Sequence, residues 1–556
     1  MYSNKIEGLE CLPVPDIKPE SAKFKGHIEP RPKMKKQIHY GVNYKNLKYV
    51  GDVAGGCNLK DDVQYKRDFD PCTRLINSQL IERLSDLAGD DFYLSNPTRE
   101  NVQFSVDTFD NKPSANYQDK FFSYAMNFLD VEYSSILEDC MMTDEEITSH
   151  IDFSKSCGYP GNQYGFHSKQ ELNFDPDYRK YFEEHQYLKY KSIWSVHPKI
   201  EFKNKQDLIN NKIRLFTIPN YELVYNQIRF GKKISERLKG YKWSAYGFNP
   251  YKGGTTLLAR RLLEKAIRID YDISGWDKFL PIMKEIYGWK ERKMGIEKWT
   301  ELQQRLWIWT RGNTESFRFK TPFGEVFDKD YGNASGSGTT TQDNILAHIV
   351  ILASALAEAY YLKFNNFPSH ELLAQQVVQL FGDDSILGLS MDFERILDDN
   401  FLENHFSKFG MKLKFKHGGI DFPLNELTFL GFKFINYKKG LWYPKYDVTR
   451  LATSALYLGP NNNNPESYIT KLFTLMIMAY PNKDAFITFR KAYQDLCSNM
   501  ERDKRDKTET ERTFLRMRNI TENQIDNLFV GFESCGAQFI GEGCFLPHQF
   551  VETLQY

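Results

Sequence analysis

The tetrapeptide Phe381-Gly382-Asp383-Asp384 constrains this chain more than any other stretch. It lies between two apolar runs, Val377-Val378-Gln379-Leu380 and Ile386-Leu387-Gly388-Leu389. Two such runs joined by a short turn read as a β-hairpin, here with paired carboxylates at its tip. Gly382 lets the backbone turn without a side-chain clash. Carboxylates gathered at a strand turn suit hard divalent cations such as Mg²⁺, which take oxygen ligands and are commonly shared with substrate phosphates. Gly-Asp and Asp-Asp are also ordinary turn pairs, and taken alone most such sequences are solvated loops. Partners elsewhere in the chain must decide between the two readings.

At 556 residues the chain exceeds what one compact core usually holds, so several lobes are expected. Lys and Arg number 73, as do Asp and Glu, so a nucleic-acid partner must be argued from local clusters and not from net charge. The eight cysteines form no Cys-x-x-Cys pair and no Cys/His cluster at zinc spacing, which fits free thiols in a reducing compartment. The first residues lack the apolar core of a secretory signal. The longest apolar stretch, 345–361, carries His348 and Glu358 and falls short of a membrane span. It reads as a buried helix with Ile345, Ile349, Leu352 and Leu356 on one face. Residues 12–36, rich in Pro and Lys, predict an extended arm, 461–464 an exposed turn, and 501–518 a solvated helix of alternating charge.

Asp272 and Asp277 follow a weakly alternating apolar stretch, which puts Asp272 at a strand end and Asp277 just beyond it. If that strand lies beside the 377–389 hairpin, Asp272 and Asp383 converge. Two metals held by such carboxylates would lower the pKa of an attacking hydroxyl and neutralise a transferring phosphoryl group. As single residues, both aspartates are more simply turn or N-cap residues. A Gly/Ser loop, Ser335-Gly336-Ser337-Gly338, leads through Thr339, Thr340 and Thr341 to Asn344 and the apolar helix. It allows close backbone approach to a ligand, with hydroxyl and amide groups for sugar or phosphate oxygens, or it is a helix cap with a linker.

The series Asp272-x4-Asp277, then Ser335-Gly336-x3-Thr340-x3-Asn344, then Gly382-Asp383-Asp384 resembles motifs A, B and C of the RNA-dependent RNA polymerases of positive-strand RNA viruses, in their order and most closely in the picornavirus-like group. Further stretches extend the resemblance. Ser156-Cys157-Gly158-Tyr159-Pro160 is similar to motif G, which borders the template channel. Lys199, Glu201 and Lys203, closing with Lys212 and Arg214, are similar to motif F, whose basic residues meet the incoming triphosphate. Gly247-Phe248-Asn249-Pro250 resembles an element ahead of motif A. Phe429, Leu430 and Lys433 resemble motif E, the primer grip. Phe381 stands where Tyr is more usual, and Asp207 where motif F is usually basic. The motif D lysine, general acid to the leaving pyrophosphate in the family, is best matched by Lys416, with Lys414 close behind.

The resemblance implies an α+β right-hand fold with an RRM-like antiparallel palm sheet. Fingers would occupy 1–228 and 280–331, palm 229–279 and 332–438, and thumb 439–556. It implies RNA synthesis from NTPs on an RNA template with two Mg²⁺ ions, for which Mn²⁺ can substitute. Asp272 and Asp383 would hold the metals with Asp384 supporting. Asp277 and Asn344, with Ser335 or Thr340, would read the 2′-hydroxyl, the group that distinguishes RNA from DNA. Arg214, Lys212, Lys199 and Lys203 would meet the triphosphate. Lys199, Lys203 and Lys205 are otherwise a solvated basic face. The implied partners are template and nascent RNA, NTPs, a protein primer and other viral replication proteins, with no transmembrane segment of its own. The implied location is the host cytoplasm, in membrane-associated replication complexes. The alternatives are a reverse transcriptase, which shares the paired Asp but usually carries a bulky gate against the 2′-hydroxyl, and an inactive RNA-binding scaffold on the same fold.

Overall fold

The computed structural model describes residues 44–53, 59 and 71–500, apart from 91, 96, 205, 208–212, 252, 439, 458–463 and 481. The expected arm at 12–36, the charged helix at 501–518, Lys205, Lys212 and most of the 461–464 turn lie outside these residues. The molecule mixes helices with mostly antiparallel sheet. Its organising element is a four-stranded sheet of β1 (Ile267–Ser274), β2 (Val377–Phe381), β3 (Asp384–Leu389) and β4 (Lys412–Ile420), in the order β4-β1-β3-β2 with every neighbour antiparallel.

Alternation in β1 explains its place. Ile267, Ile269, Tyr271 and Ile273 point to one face and are buried, whereas Arg268, Asp270 and Asp272 point to the other. The apolar face packs on a helix that the sequence made hydrophobic nearly all round. Of the two long helices near the site, α1 spans Tyr221–Arg237 and α2 spans Thr340–Phe364. α2 buries residues on every side, and each of its buried Ile and Leu side chains stabilises by roughly 1.5–3 kcal/mol. At 25 residues it exceeds the apolar stretch in the sequence. Among the described residues it is the one helix long and apolar enough to cross a membrane, and 78% of its most apolar window is buried inside the molecule.

Two other sheets, of five and three strands, accompany the four-stranded one. The first orders strands Lys48–Asp52, Glu325–Lys329, Phe317–Lys320, Ile193–Pro198 and Leu215–Ile218, and so joins the chain before β1 to the chain between β1 and α2. The second pairs Thr428–Phe429, Phe432–Lys438 and Leu441–Tyr446.

Packing crosses two of the expected domain boundaries. Helix α1 runs unbroken through 228/229, because its apolar positions continue on one face to Ile234. Helix Ser78–Ala88 shares a separate core with helices Val448–Leu456, Pro465–Ala479 and Lys483–Asn499, where Leu84 and Ala88 are buried with Leu472, Phe489 and Leu496. The N-terminal segment thus reaches the C-terminal lobe in space.

Candidate active site

The hairpin is as the sequence predicts, with β2 ending at Phe381 and β3 beginning at Asp384, the two paired in register. Gly382 turns at φ +66°, in the left-handed region that favours glycine. Because Ser385 pairs with Tyr271 across β3 and β1, Asp384 comes beside the end of β1 where Asp272 sits. The negative charges of Asp272, Asp383 and Asp384 are close enough to act on one another. Asp383 is raised above the ordinary Asp range by loss of water and then by Asp272. Asp384 is pushed up to about 6 by burial, then by Asp383 and Asp272.

Uncompensated carboxylates with oxygen donors only are the donor set that Mg²⁺ takes. Among the described residues no group of three or more His, Cys, Asp or Glu side chains is placed to hold a metal ion by itself. An open carboxylate edge of this kind fits a cation that keeps its remaining positions for water and phosphate.

Lys414 already places a cation at this edge, its Nζ lying 2.7 Å from Asp272 Oδ2. The sequence favoured Lys416, and the strand register gives the reason for the difference. Residue 414 is an extra residue in β4, so that Leu413 pairs with Ile273 but Phe415 with Asp272. Lys416 is thereby moved opposite Tyr271, on the face turned to α2 and away from Asp272.

Past β1 the chain turns at Gly275, φ +64°, where a Cβ would meet the Phe279 ring at 2.5 Å. The short helix Trp276–Phe279 then presents Asp277 to α2. Asn344 Nδ2 donates to Asp277 Oδ1 at 2.6 Å, and Asn333 Nδ2 donates to Asn344 Oδ1 at 2.9 Å. The Asn333 backbone N–H also donates to the Asp277 carbonyl at 2.7 Å. Burial, and then the charge of Asp383, push the Asp277 carboxyl up to about 6, against the opposing bond from Asn344.

The other expected members of this network stand differently. Thr340 turns its hydroxyl onto the carbonyls of Ala334 and Ser337 and so shapes the loop, while Ser335 is exposed. Gly336 lies so close to Thr217 that a Cβ would meet the Thr217 carbonyl oxygen at 1.5 Å, which leaves room there for glycine alone.

Lys199, Lys203 and Arg214, the described members of the basic set at 199–214, converge on Glu201, which had not been singled out as their common partner. Lys203 Nζ lies 2.8 Å, Lys199 Nζ 3.6 Å and Arg214 Nη1 3.7 Å from its carboxylate. The Lys199 N–H donates to the Arg214 carbonyl, so the two ends of this stretch are fixed together. Arg214 is 65% exposed, and its charge acts on both Asp277 and Asp383.

In the 156–160 loop, Ser156 Oγ accepts from the Gly158 N–H, and Gly158, φ +75°, packs on Pro219, whose carbonyl oxygen a Cβ would meet at 2.3 Å. Tyr159 is buried with Lys320 Nζ 5.5 Å from its ring centre, and Pro160 leads into the short turn 161–164. Phe429 is buried beside Phe248 and Phe432, and the hairpin turns on Leu430 and Gly431, both at positive φ. Lys433 is exposed. The Thr428 N–H donates to Asp270 Oδ2 at 2.9 Å and ties this hairpin to β1.

Residues 95–494 match the family model of the viral RNA-dependent RNA polymerases, and the chain belongs to that family. It is similar to the genome polyprotein of Plum pox potyvirus (isolate NAT), 26% identical over 310 residues, which are 54% of this chain and 9% of that protein. It is 25% identical over 315 residues to the genome polyprotein of Tobacco vein mottling virus, covering 54% of this chain and 10% of that protein. It is 21% identical over 297 residues to the non-structural polyprotein 1AB of Turkey astrovirus 2, covering 51% of this chain and 18% of that protein. The chain thus spans less than a fifth of the length of these curated relatives.

The raised Asp384 carboxyl sets a pH dependence. Holding its proton up to about pH 6, it is ionised at pH 7.5 and largely protonated at pH 5.5. A metal must then displace that proton, so affinity falls as pH falls. If Mg²⁺ is bound through this carboxylate, its concentration for half-saturation, measured by calorimetry at the two pH values, should be roughly fourfold higher at pH 5.5.

Proposed function

We propose that this protein copies an RNA template from NTPs, the 3′-hydroxyl of the growing strand attacking the α-phosphate of the incoming NTP while pyrophosphate leaves. The observation that carries this reading is the meeting of Asp272 and Asp383 at one sheet end with the Asp277–Asn344 pair beside them. Asp272 and Asp383 hold two Mg²⁺ ions, with Asp384 supporting and Mn²⁺ able to substitute. Bound there, the metals lower the pKa of the attacking hydroxyl and neutralise the phosphoryl oxygens. Catalysis by the chain itself is positioning. Arg214, with Lys199, Lys203 and Lys212, holds the triphosphate, and the ion pairs to Glu201 keep the first three of these cations in one cluster. Lys414 leaves Asp272 as the site fills and donates a proton to the departing pyrophosphate, the part first assigned to Lys416.

The architecture proposed is a right hand. The four-stranded sheet with α2 is the palm, 229–279 and 332–438. Fingers are 1–228 and 280–331, and the thumb is 439–556. The 156–160 loop lines the template channel, and Phe429, Leu430 and Lys433 grip the primer end. Partners are template and nascent RNA, NTPs, a protein primer and other viral replication proteins, a reading supported by relatives that are polyproteins. The place of action is the host cytoplasm, in membrane-associated replication complexes of a positive-strand virus.

Extension of an RNA primer on an RNA template with NTPs, run with and without primer, tests the activity and the mode of initiation together. No product with either RNA or DNA template overturns the reading, and product from dNTPs alone favours a reverse transcriptase. Asn344→Ala removes the donor to Asp277 and should lower the NTP/dNTP preference about tenfold or more. An unchanged ratio of kcat/KM values takes the pair out of sugar selection.

A further inference from the structure

His348 belongs to none of the residues assigned above, yet it touches the pieces that carry the aspartates. It lies one turn beyond Asn344 on α2 and is completely buried. Its Nδ1 is 2.9 Å from the Gly382 carbonyl oxygen, in the turn just before Asp383. Its Nε2 is 2.8 Å from the Tyr271 hydroxyl, in the residue just before Asp272. Its ring also lies on that of Trp276, centres 4.7 Å apart, in the residue just before Asp277.

A carbonyl only accepts, so Nδ1 carries the proton and donates to Gly382, and Nε2 accepts from the Tyr271 hydroxyl. Both bonds are satisfied by the neutral ring alone. Tyr271 is held a second time, its backbone carbonyl accepting from Ser385 Oγ at 2.9 Å. Gly382 itself has no protein atom within 4 Å of where a Cβ would stand, so the turn gains little support from packing on that side.

We propose that His348 is the positioning residue that sets the Asp383 turn relative to the strand bearing Asp272, and thereby the spacing of the two metal-binding carboxylates. This rests on the polymerase reading for its catalytic consequence but not for its structural one. Mg²⁺ demands near-ideal octahedral geometry, so a displaced carboxylate costs Mg²⁺ binding directly. Asn344 and His348, four residues apart on one helix face, then align the sugar-reading carboxylate and the metal-binding carboxylates from a single rigid element.

The test uses His348→Phe, which keeps the ring against Trp276 and removes both hydrogen bonds, and His348→Asn, which keeps a donor near the Nδ1 position. In the metal-free protein, His348→Phe should speed backbone amide exchange at 382–384 roughly fivefold to tenfold while leaving the middle of α2 unchanged. Mn²⁺ binding, read by electron paramagnetic resonance, should weaken by a similar factor. In synthesis, kcat with Mg²⁺ should fall more than kcat with Mn²⁺, with KM for NTP within about threefold of wild type, and His348→Asn should recover part of each loss. Wild-type exchange and Mn²⁺ affinity in His348→Phe overturn the proposal, as does an equal loss across the whole helix, which would mark a merely structural role. If wild-type protein makes no RNA while the exchange and binding effects appear, the polymerase reading falls and this inference stands.

Discussion

Asp383→Ala should reduce nucleotide addition by about a thousandfold or more while leaving RNA binding near its wild-type value. Three facts make this position the most sensitive of the three aspartates. Asp383 stands at the tip of the turn between β2 and β3, its charge acts on both Asp272 and Asp277, and Arg214 acts on it in return. It is therefore the carboxylate common to the proposed metal-binding pair and the proposed sugar-reading pair. Asp384 is drawn into the ladder by its pairing with Phe381 and retains a proton to about pH 6. Its replacement by Ala should cost less than that of Asp383. The measurements are single-turnover extension with Mg²⁺ and RNA affinity in the same buffer. Synthesis by Asp383→Ala at the wild-type rate would remove the turn from catalysis, and an equal loss of RNA binding would make it a folding or docking element.

Lys290→Met should destabilise the protein by about 3–5 kcal/mol, the largest stability effect expected from one side chain near the site. Lys290 and Asp343 form an ion pair with side chains 2% and 0% exposed, and Asp343 also accepts from the Tyr287 hydroxyl at 2.9 Å. Removal of the ammonium leaves a carboxylate buried without its cation. The double variant Lys290→Met/Asp343→Leu should recover most of the loss, because apolar residues of similar size often replace a buried pair at little cost. Chemical denaturation of the three proteins decides the matter. A single variant as stable as wild type would show that water reaches the pair. Asp343 precedes Asn344 on α2, so the pair also anchors the start of that helix to helix Met283–Lys293.

The sequence made some of this visible for plain physical reasons. The 377–389 hairpin was legible because two short apolar runs flank a glycine turn, and α2 because an apolar stretch of that length must be covered. Asp277 and Asn344 were paired only through the resemblance, since 67 residues separate them and no local pattern joins them. Asn333 was missed, although it stands two residues before the Gly/Ser loop, because a single Asn in a loop carries no signal of its own. Glu201 was named only as part of a basic stretch, and its part as the counter-charge to three cations depends on how two strands approach. Lys416 was preferred over Lys414 only as the better match to motif D of the family it resembles. One extra residue in β4 puts Lys416 on the opposite face from the aspartates while Lys414 still reaches Asp272, and such bulges have no reliable sequence mark.

The order of the central sheet has a consequence for how the protein is made. β1 is completed at residue 274, but its two neighbours, β3 and β4, begin only at 384 and 412. During synthesis on the ribosome, the strand carrying Asp270 and Asp272 therefore emerges with both edges unpaired and waits for roughly a hundred further residues. α2 leaves the ribosome within that interval, before the hairpin that helps to cover it. The proposed catalytic centre thus cannot assemble until β4 ends at residue 420, and until then the long apolar α2 lacks part of its cover.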